Sequence, residues 1–173
     1  MGRKAKLKSS DENVNISLTE IEVAVANLFD IRKNIIVPNV SWGFNIHECD
    51  LFIVRNTGYC VEIEIKRSKA DLKNDFDKVH HHIDKENRIK EFYFAIPDYL
   101  YDSCKDLIGD NGLILVSKWT SNKKTYVRAV YHTKAKPIKN ARKLTDIEIL
   151  KILKLGVMRV WKLKEKLNKN NNI

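Results

Sequence analysis

The chain has 173 residues, which is enough for one compact α/β domain and too few to make two domains the default. Its 32 lysines and arginines exceed its 22 aspartates and glutamates, and the formal charge of +10 favours a polyanionic partner such as nucleic acid or an acidic membrane surface. No stretch approaches the roughly 18 apolar residues of a membrane span, and the N-terminus lacks an apolar signal region, so we do not expect a protein that enters the membrane. Because the three cysteines form no CxxC pair, we expect a cytoplasmic protein.

The first predicted elements are a helix and a short strand. Residues 1–16 are polar and basic without periodicity, which predicts a flexible arm. Ser17 and Glu20 form an S-x-x-E capping box before an apolar run of helical spacing, so a helix is predicted over 17–32. The β-branched run that follows is interrupted at Pro38, which is typical of an edge strand.

The strongest local signal is a β-hairpin. Two strands, at about 48–55 and 59–66, are joined by Asn56-Thr57-Gly58, a triplet that favours a tight turn. If Arg55 pairs with Tyr59, one face of the hairpin is wholly apolar and the other face carries the carboxylates. A few apolar side chains also lie on the carboxylate face. A slip of one residue would destroy this separation of faces. The facing pairs are then Leu51 with Ile63, Ile53 with Val61, and Asp50 with Glu64.

The rest of the chain predicts further helices and strands. Ser68 opens a second capping box in front of an apolar periodicity, which predicts a helix over 69–85. Three apolar runs predict strands at 92–97, 112–117 and 124–131. The order of elements predicts an α/β fold in which helices flank a central mixed sheet.

The last predicted element is a long helix. Thr145 and Glu148 form its capping box, and its end is rich in asparagine and lysine. We therefore predict a single domain over 17–167 and a disordered tail over 168–173. The apolar positions of the helix include Ile147, Leu150, Leu153, Val157, Val160 and Leu163.

The hairpin brings together residues that can carry chemistry. Glu62, Glu64 and Lys66 alternate along one strand and so share a face, and Asp50 is predicted directly opposite Glu64. Two carboxylates with Cβ atoms about 5 Å apart repel each other unless a cation lies between them. Mg²⁺ prefers oxygen ligands, binds through one or two carboxylates and leaves room for a substrate phosphate. A lysine beside such a site can help to orient and deprotonate a metal-activated water.

The spacing of Asp50 and Glu64-Ile65-Lys66 on a hairpin between two helices resembles the PD-(D/E)XK nuclease superfamily. HECDLFIV, NTGYCVEIEIKRSKADLKNDFDKVHHH and EFYFAIP are similar to small bacterial and phage proteins of its MmcB-like DNA-repair group, over about residues 17–117. The resemblance implies a restriction-endonuclease-like core and a Mg²⁺ (or Mn²⁺)-dependent DNA nuclease, an endonuclease, acting in repair, recombination or phage DNA metabolism. It also implies Asp50, Glu64 and the Ile65 carbonyl as metal ligands and Lys66 as the catalytic lysine. Cys49 stands where the superfamily commonly has proline.

Other interpretations of these residues stay open. The strand face can be an exposed surface with a Glu–Lys ion pair, and the protein can be a noncatalytic nucleic-acid-binding module with a nuclease-like fold or a partner-binding accessory protein. Glu20 and Glu22 lie in the first helix, where the resemblance implies a glutamate near the metal site, although the capping box already accounts for Glu20. Glu48 and Glu62 are further candidates to support the metal site, and both can instead be solvated.

The segment after Lys66 is a candidate DNA-binding surface, because its basic residues can neutralise backbone phosphates. A solvated helix face is the simpler alternative. The consecutive histidines at 80–82 would point in different directions on a helix, which disfavours zinc binding. The long C-terminal helix is a candidate interface for a homodimer. The predicted DNA contacts are Lys69, Lys73, Lys78, His80 and His82.

Overall fold

A computed structural model describes residues 15–40, 48–76 and 86–171 of the chain. Within these residues the strands form a single mixed sheet of six, ordered β1 to β6 as in the sequence. The two central pairs, β3 with β4 and β4 with β5, are parallel, and the other three pairs are antiparallel. The strands are β1 (Ile35–Val40), β2 (Cys49–Val54), β3 (Cys60–Ile65), β4 (Ile89–Pro97), β5 (Gly112–Ser121) and β6 (Lys124–Thr133).

Helices cover both faces of the sheet. The first helix packs on β3, β4, β5 and β6 on one face. On the other face, the last helix packs on β1, while the two middle helices contact each other and cover β4 and β5. The predicted α/β fold with a central mixed sheet is therefore confirmed. The helices are α1 (Leu18–Leu28), α2 (Lys69–Phe76), α3 (Tyr101–Ile108) and α4 (Asp146–Asn171).

The hairpin has the predicted register. Leu51 pairs with Ile63 and Ile53 with Val61, and these side chains join α1 in one buried apolar cluster. β1 lies at the edge of the sheet, as the proline within it predicts, because proline cannot donate a backbone hydrogen bond.

Several predicted boundaries differ from the structure. α1 ends at Leu28 rather than near residue 32, because Asp30 adopts a left-handed conformation with φ of +60°. The three later strands, β4, β5 and β6, extend beyond the apolar runs from which they were predicted. Of the helix predicted over 69–85, the second half, 77–85, lies outside the described residues. α3 and the 3₁₀ turn before it (Asp98–Leu100) were not predicted, since α3 begins without a side-chain cap.

The two termini also differ from the predictions. Of the predicted flexible arm, residues 1–14 lie outside the described part, but Ile16 is buried in the cluster under α1. α4 continues to Asn171, so the first residues of the predicted disordered tail are helical. Of the helices described, none combines the length and apolar character needed to cross a membrane.

α4 binds the sheet through apolar residues other than those named from the sequence. Ile152 is fully buried against β1 and β2, with Ile149 and Leu155 packed beside it. At its start, the Thr145–Glu148 capping box is present, and Arg142 donates to both carboxylate oxygens of Glu148 at 2.7 and 2.8 Å. The apolar positions named from the sequence are exposed or largely exposed: Ile147, Leu150, Leu153, Val157, Val160 and Leu163.

Candidate metal centre

β3 and the residue that follows it carry charged side chains into the interior of the protein. Glu62, Glu64 and Lys66 are only 1%, 5% and 6% exposed. They lie on the face opposite α1, between the apolar cluster under α4 and the cluster under α2 and α3. The interpretation of this strand face as an exposed surface is therefore wrong. Burying charged groups is costly unless they have charged or hydrogen-bonding partners, so the electrostatics of this strand need an explanation.

The central contact is an ion pair between Lys66 and Glu64. Lys66 Nζ donates a hydrogen bond of 2.8 Å to Glu64 Oε2. The other oxygen, Glu64 Oε1, is buried and has no hydrogen-bond partner among the described residues. Burial raises the pKa of Glu64 to about 7, the charge and hydrogen bond of Lys66 oppose that rise, and the nearby carboxylates of Asp50 and Glu62 add to it.

Asp50 lies across the hairpin from this pair. The ladder pair Leu51–Ile63, continued by one residue, places Asp50 opposite Glu64, as predicted from the sequence. Asp50 Oδ2 accepts a hydrogen bond of 2.7 Å from the backbone N–H of Ile65. This hydrogen bond holds the carboxylate of Asp50 beside the backbone between Glu64 and Lys66.

Cys49 stands next to Asp50 and is buried. Burial raises the pKa of its thiol strongly, and Glu62, Glu64 and Asp50 raise it further. The thiol therefore stays protonated and behaves as a small apolar side chain, which is compatible with its place in the cluster under α4.

The glutamate of α1 that approaches the site is Glu22 and not Glu20. The carboxyl of Glu20 accepts hydrogen bonds from Ser17 in the capping box and lies 2.8 Å from Lys118 Nζ, which lowers its pKa to about 2. Glu22 is half-buried, and burial followed by the charge of Asp50 raises its pKa, against a hydrogen bond from Asn39. Two residues along a helix differ by about 200° in direction, so only one of the two can face Asp50.

These groups fit a hard divalent cation with two carboxylate ligands. No cluster of three His, Cys, Asp or Glu side chains able to hold a metal is found within residues 15–40, 48–76 and 86–171. Mg²⁺ needs only one or two carboxylates, because water and substrate phosphate supply its other ligands. Asp50 and Glu64 are the two carboxylates that such a cation would use, and Glu64 Oε1 is a buried acceptor oxygen with no hydrogen-bond partner among these residues.

The other predicted site residues are distributed differently. Glu62 is buried beside Glu64 and acts on its pKa, whereas Glu48 is exposed. Lys69 and Lys73 are exposed on α2, which begins three residues after Lys66. Lys78, His80 and His82 lie outside the described residues. Of the two glutamates that the sequence places in α1, the capping box uses Glu20, and Glu22 is the one that approaches Asp50.

The fold and the site together define an α/β protein with a buried charged strand at the centre of a mixed sheet. The chain matches no protein-family model and no curated protein. Its fold is similar to a solved structure, a protein of unknown function from Silicibacter pomeroyi (SPO1766), with a TM-score of 0.56 and 15% sequence identity. The similarity covers 95% of this chain and 97% of that one, and at this identity it supports the fold alone.

Proposed function

We propose that the protein is a Mg²⁺- or Mn²⁺-dependent DNA nuclease that hydrolyses phosphodiester bonds. The observation that carries this proposal is the buried Lys66–Glu64 pair, in which one carboxylate oxygen of Glu64 has no hydrogen-bond partner among the described residues and Asp50 lies across the hairpin. A buried carboxylate whose pKa is raised by burial and by other carboxylates is typical of functional sites.

Each residue of the site has a proposed role. Asp50 and Glu64 would hold the metal, with the carbonyl of Ile65 as a third ligand. When bound, Mg²⁺ lowers the pKa of a water molecule and offsets negative charge on the phosphate. Lys66 favours the ionised form of Glu64 before substrate binds, and its ammonium can then donate to the water or to a phosphate oxygen as negative charge develops there. Glu22 and Glu62 would adjust the charge around these ligands.

DNA is the proposed partner. α2 follows the catalytic strand directly, and the exposed Lys69 and Lys73 on it can contact backbone phosphates near the site. The formal charge of +10 favours association with a polyanion. The role in repair, recombination or phage DNA metabolism, the cytoplasmic location and the homodimer stay predictions from the sequence.

The test is cleavage of labelled single-stranded, duplex, flapped and junction DNA in Mg²⁺, Mn²⁺ and EDTA. We expect cleavage that needs metal and that falls at least about 100-fold in Asp50→Asn and Lys66→Ala, because each loses a group that acts on the reacting atoms. Lys136→Ala is the matched control, since Lys136 is exposed and pairs with Asp110 on the surface. Circular dichroism and thermal unfolding check that each variant is folded.

The outcomes distinguish the alternatives. DNA binding that is unchanged in EDTA, without cleavage in any metal, would support the noncatalytic nucleic-acid-binding module. A protein that neither binds nor cleaves any DNA of the panel would support the accessory protein. Cleavage that Lys66→Ala and Asp50→Asn leave unchanged would contradict the assignment of the site.

A further inference from the structure

α4 has a second apolar surface that the described residues of the chain leave exposed. Its inner face packs on β1, where Gly156 permits close approach, since an added Cβ would lie 3.3 Å from Val37 Cγ2. On its outer flank, five large apolar side chains are 43–66% exposed. We call them the outer stripe: Leu150, Leu153, Val157, Val160 and Leu167.

The spacing of the outer stripe is that of a helix-pairing seam. Successive members are three, four, three and seven residues apart, and Lys164 occupies the position that completes the series. Apolar residues that alternate at intervals of three and four keep one line along a helix and pack against a second helix. From Leu150 to Leu167 this line is about 25 Å long.

A groove continues the outer stripe onto the sheet. It has a volume of about 570 Å³ and lies between α4 and the edge strand β1. Leu153, Val157 and Val160 of the stripe form one wall, and Ile36 and Val37 contribute to the other. A helix lying along the stripe would therefore also cover the apolar edge of β1, so the two features form one continuous surface.

The end of α4 lacks support from the rest of the described chain. Every residue from Trp161 to Asn170 is exposed, although this segment includes Trp161, Leu163 and Leu167. A helical segment as short as 161–170 is marginally stable in water without tertiary contacts. A second helix along the stripe would supply those contacts.

Charge favours a second copy of the same helix in the antiparallel direction. Asp146 and Glu148 lie in the first turn, whereas Lys162, Lys164, Lys166 and Lys169 lie in the second half. A parallel pair would place the lysine-rich halves side by side, and like charges at that distance repel. An antiparallel pair brings Asp146 in the first turn of one helix near Lys169 in the last turn of the other.

We propose that the protein forms a homodimer in which α4 packs antiparallel against α4 of a second copy along the outer stripe. Leu150 then contacts Leu167 of the partner subunit, and Val157 contacts Val160 of the partner subunit. The two-fold axis passes between Val157 and Val160, which makes the interface self-complementary, as a two-fold dimer requires. This inference does not rest on the proposed nuclease activity.

The first test is the mass of the full chain in solution, by sedimentation equilibrium from about 1 to 200 μM. We expect a dimer, and we expect Val157→Glu/Val160→Glu to raise its dissociation constant at least about 100-fold, because both charges would be buried in the seam. Met158→Glu is the matched control: Met158 is also exposed, but its direction differs from that of Val160 by about 160°. It should leave the dissociation constant unchanged.

The second test is the direction of the helices. In the antiparallel pair, two copies of residue 150 are about 25 Å apart, so Leu150→Cys alone should form no intermolecular disulfide. Leu150→Cys/Leu167→Cys should oxidise to a covalent dimer, because each new thiol faces the other one across the interface. The native Cys49, Cys60 and Cys104 are buried, so the wild type serves as the control for background oxidation.

Two results would overturn the proposal. One is a wild type that stays monomeric at 200 μM, including a monomer that binds vesicles of phosphatidylserine and phosphatidylcholine through Val157 and Val160, which would assign the stripe to a lipid surface. The other is a covalent dimer of Leu150→Cys alone, since self-pairing of that residue requires parallel helices.

Discussion

Lys66, the residue that follows β3, donates a 2.8 Å hydrogen bond to Glu64 near the end of that strand, and both side chains are buried. In an exposed strand this pair would add little to stability, because water screens both charges. Here the apolar clusters on either side of β3 exclude water, so the charge of each partner depends on the other.

The raised pKa of Glu64 predicts how stability changes with pH in EDTA. The folded state keeps a proton on Glu64 up to about pH 7, whereas the unfolded chain releases it near pH 4.5. The contribution of Glu64 to stability is therefore full below pH 4.5 and is lost as pH rises through 7, by at most about 3 kcal/mol. Urea unfolding from pH 4.5 to 7.5 should show this loss in the wild type relative to Glu64→Gln. Parallel curves for the two proteins would show that Glu64 titrates normally.

Metal binding should stabilise the folded protein. Mn²⁺ at 100 times its dissociation constant adds about 2.7 kcal/mol if it binds the folded state alone. We expect a rise in Tm for the wild type that is absent from Asp50→Asn and Glu64→Gln and is reversed by EDTA. Glu48→Gln is the control, because Glu48 precedes β2 in the same hairpin but is exposed. A similar rise in all four proteins would place the metal elsewhere.

Replacing Lys66 should lower the free energy of unfolding more in the wild type than in a Glu64→Gln background. Lys66→Met leaves a buried carboxylate without its ion-pair partner, and we expect a loss of about 3 kcal/mol in unfolding free energy at pH 7.5. In a Glu64→Gln background the same change should cost at least about 1 kcal/mol less, which a double-mutant cycle measures. Lys136→Met removes a similarly short but exposed pair with Asp110 and should leave the free energy of unfolding almost unchanged. Equal costs for Lys66→Met in both backgrounds would contradict the coupling.

Two isoleucines of α4 should differ in their effect on stability. Ile152 is fully buried and Ile147 is 69% exposed. We expect Ile152→Ala to lower the unfolding free energy by about 2–5 kcal/mol, because it leaves a cavity between α4 and β1. Ile147→Ala should change it by less than about 0.5 kcal/mol. Thermal or urea unfolding measures both, and the reverse order would mean that α4 binds the sheet with its other face.

Local patterns in the sequence determined much of the fold. The capping boxes at Ser17 and Thr145 locate two helix starts, because a side chain three residues away satisfies free backbone groups there. The hairpin register follows from the alternation of apolar and charged residues, since a slip of one residue would bury the wrong face. That register was sufficient to predict Asp50 opposite Glu64.

The tertiary structure decided which of those residues are buried and which neighbours they have. Periodicity shows that α4 has apolar residues, but only contact with β1 shows that Ile152 is the buried one and that the outer stripe is exposed. Likewise, the sequence places Glu20 and Glu22 on one helix, and only the packing of α1 on the sheet directs Glu22 towards Asp50. Burial depends on segments distant in sequence, and for that reason the raised pKa of Glu64 follows mainly from its burial in the fold, to which Asp50 and the nearby Glu62 add.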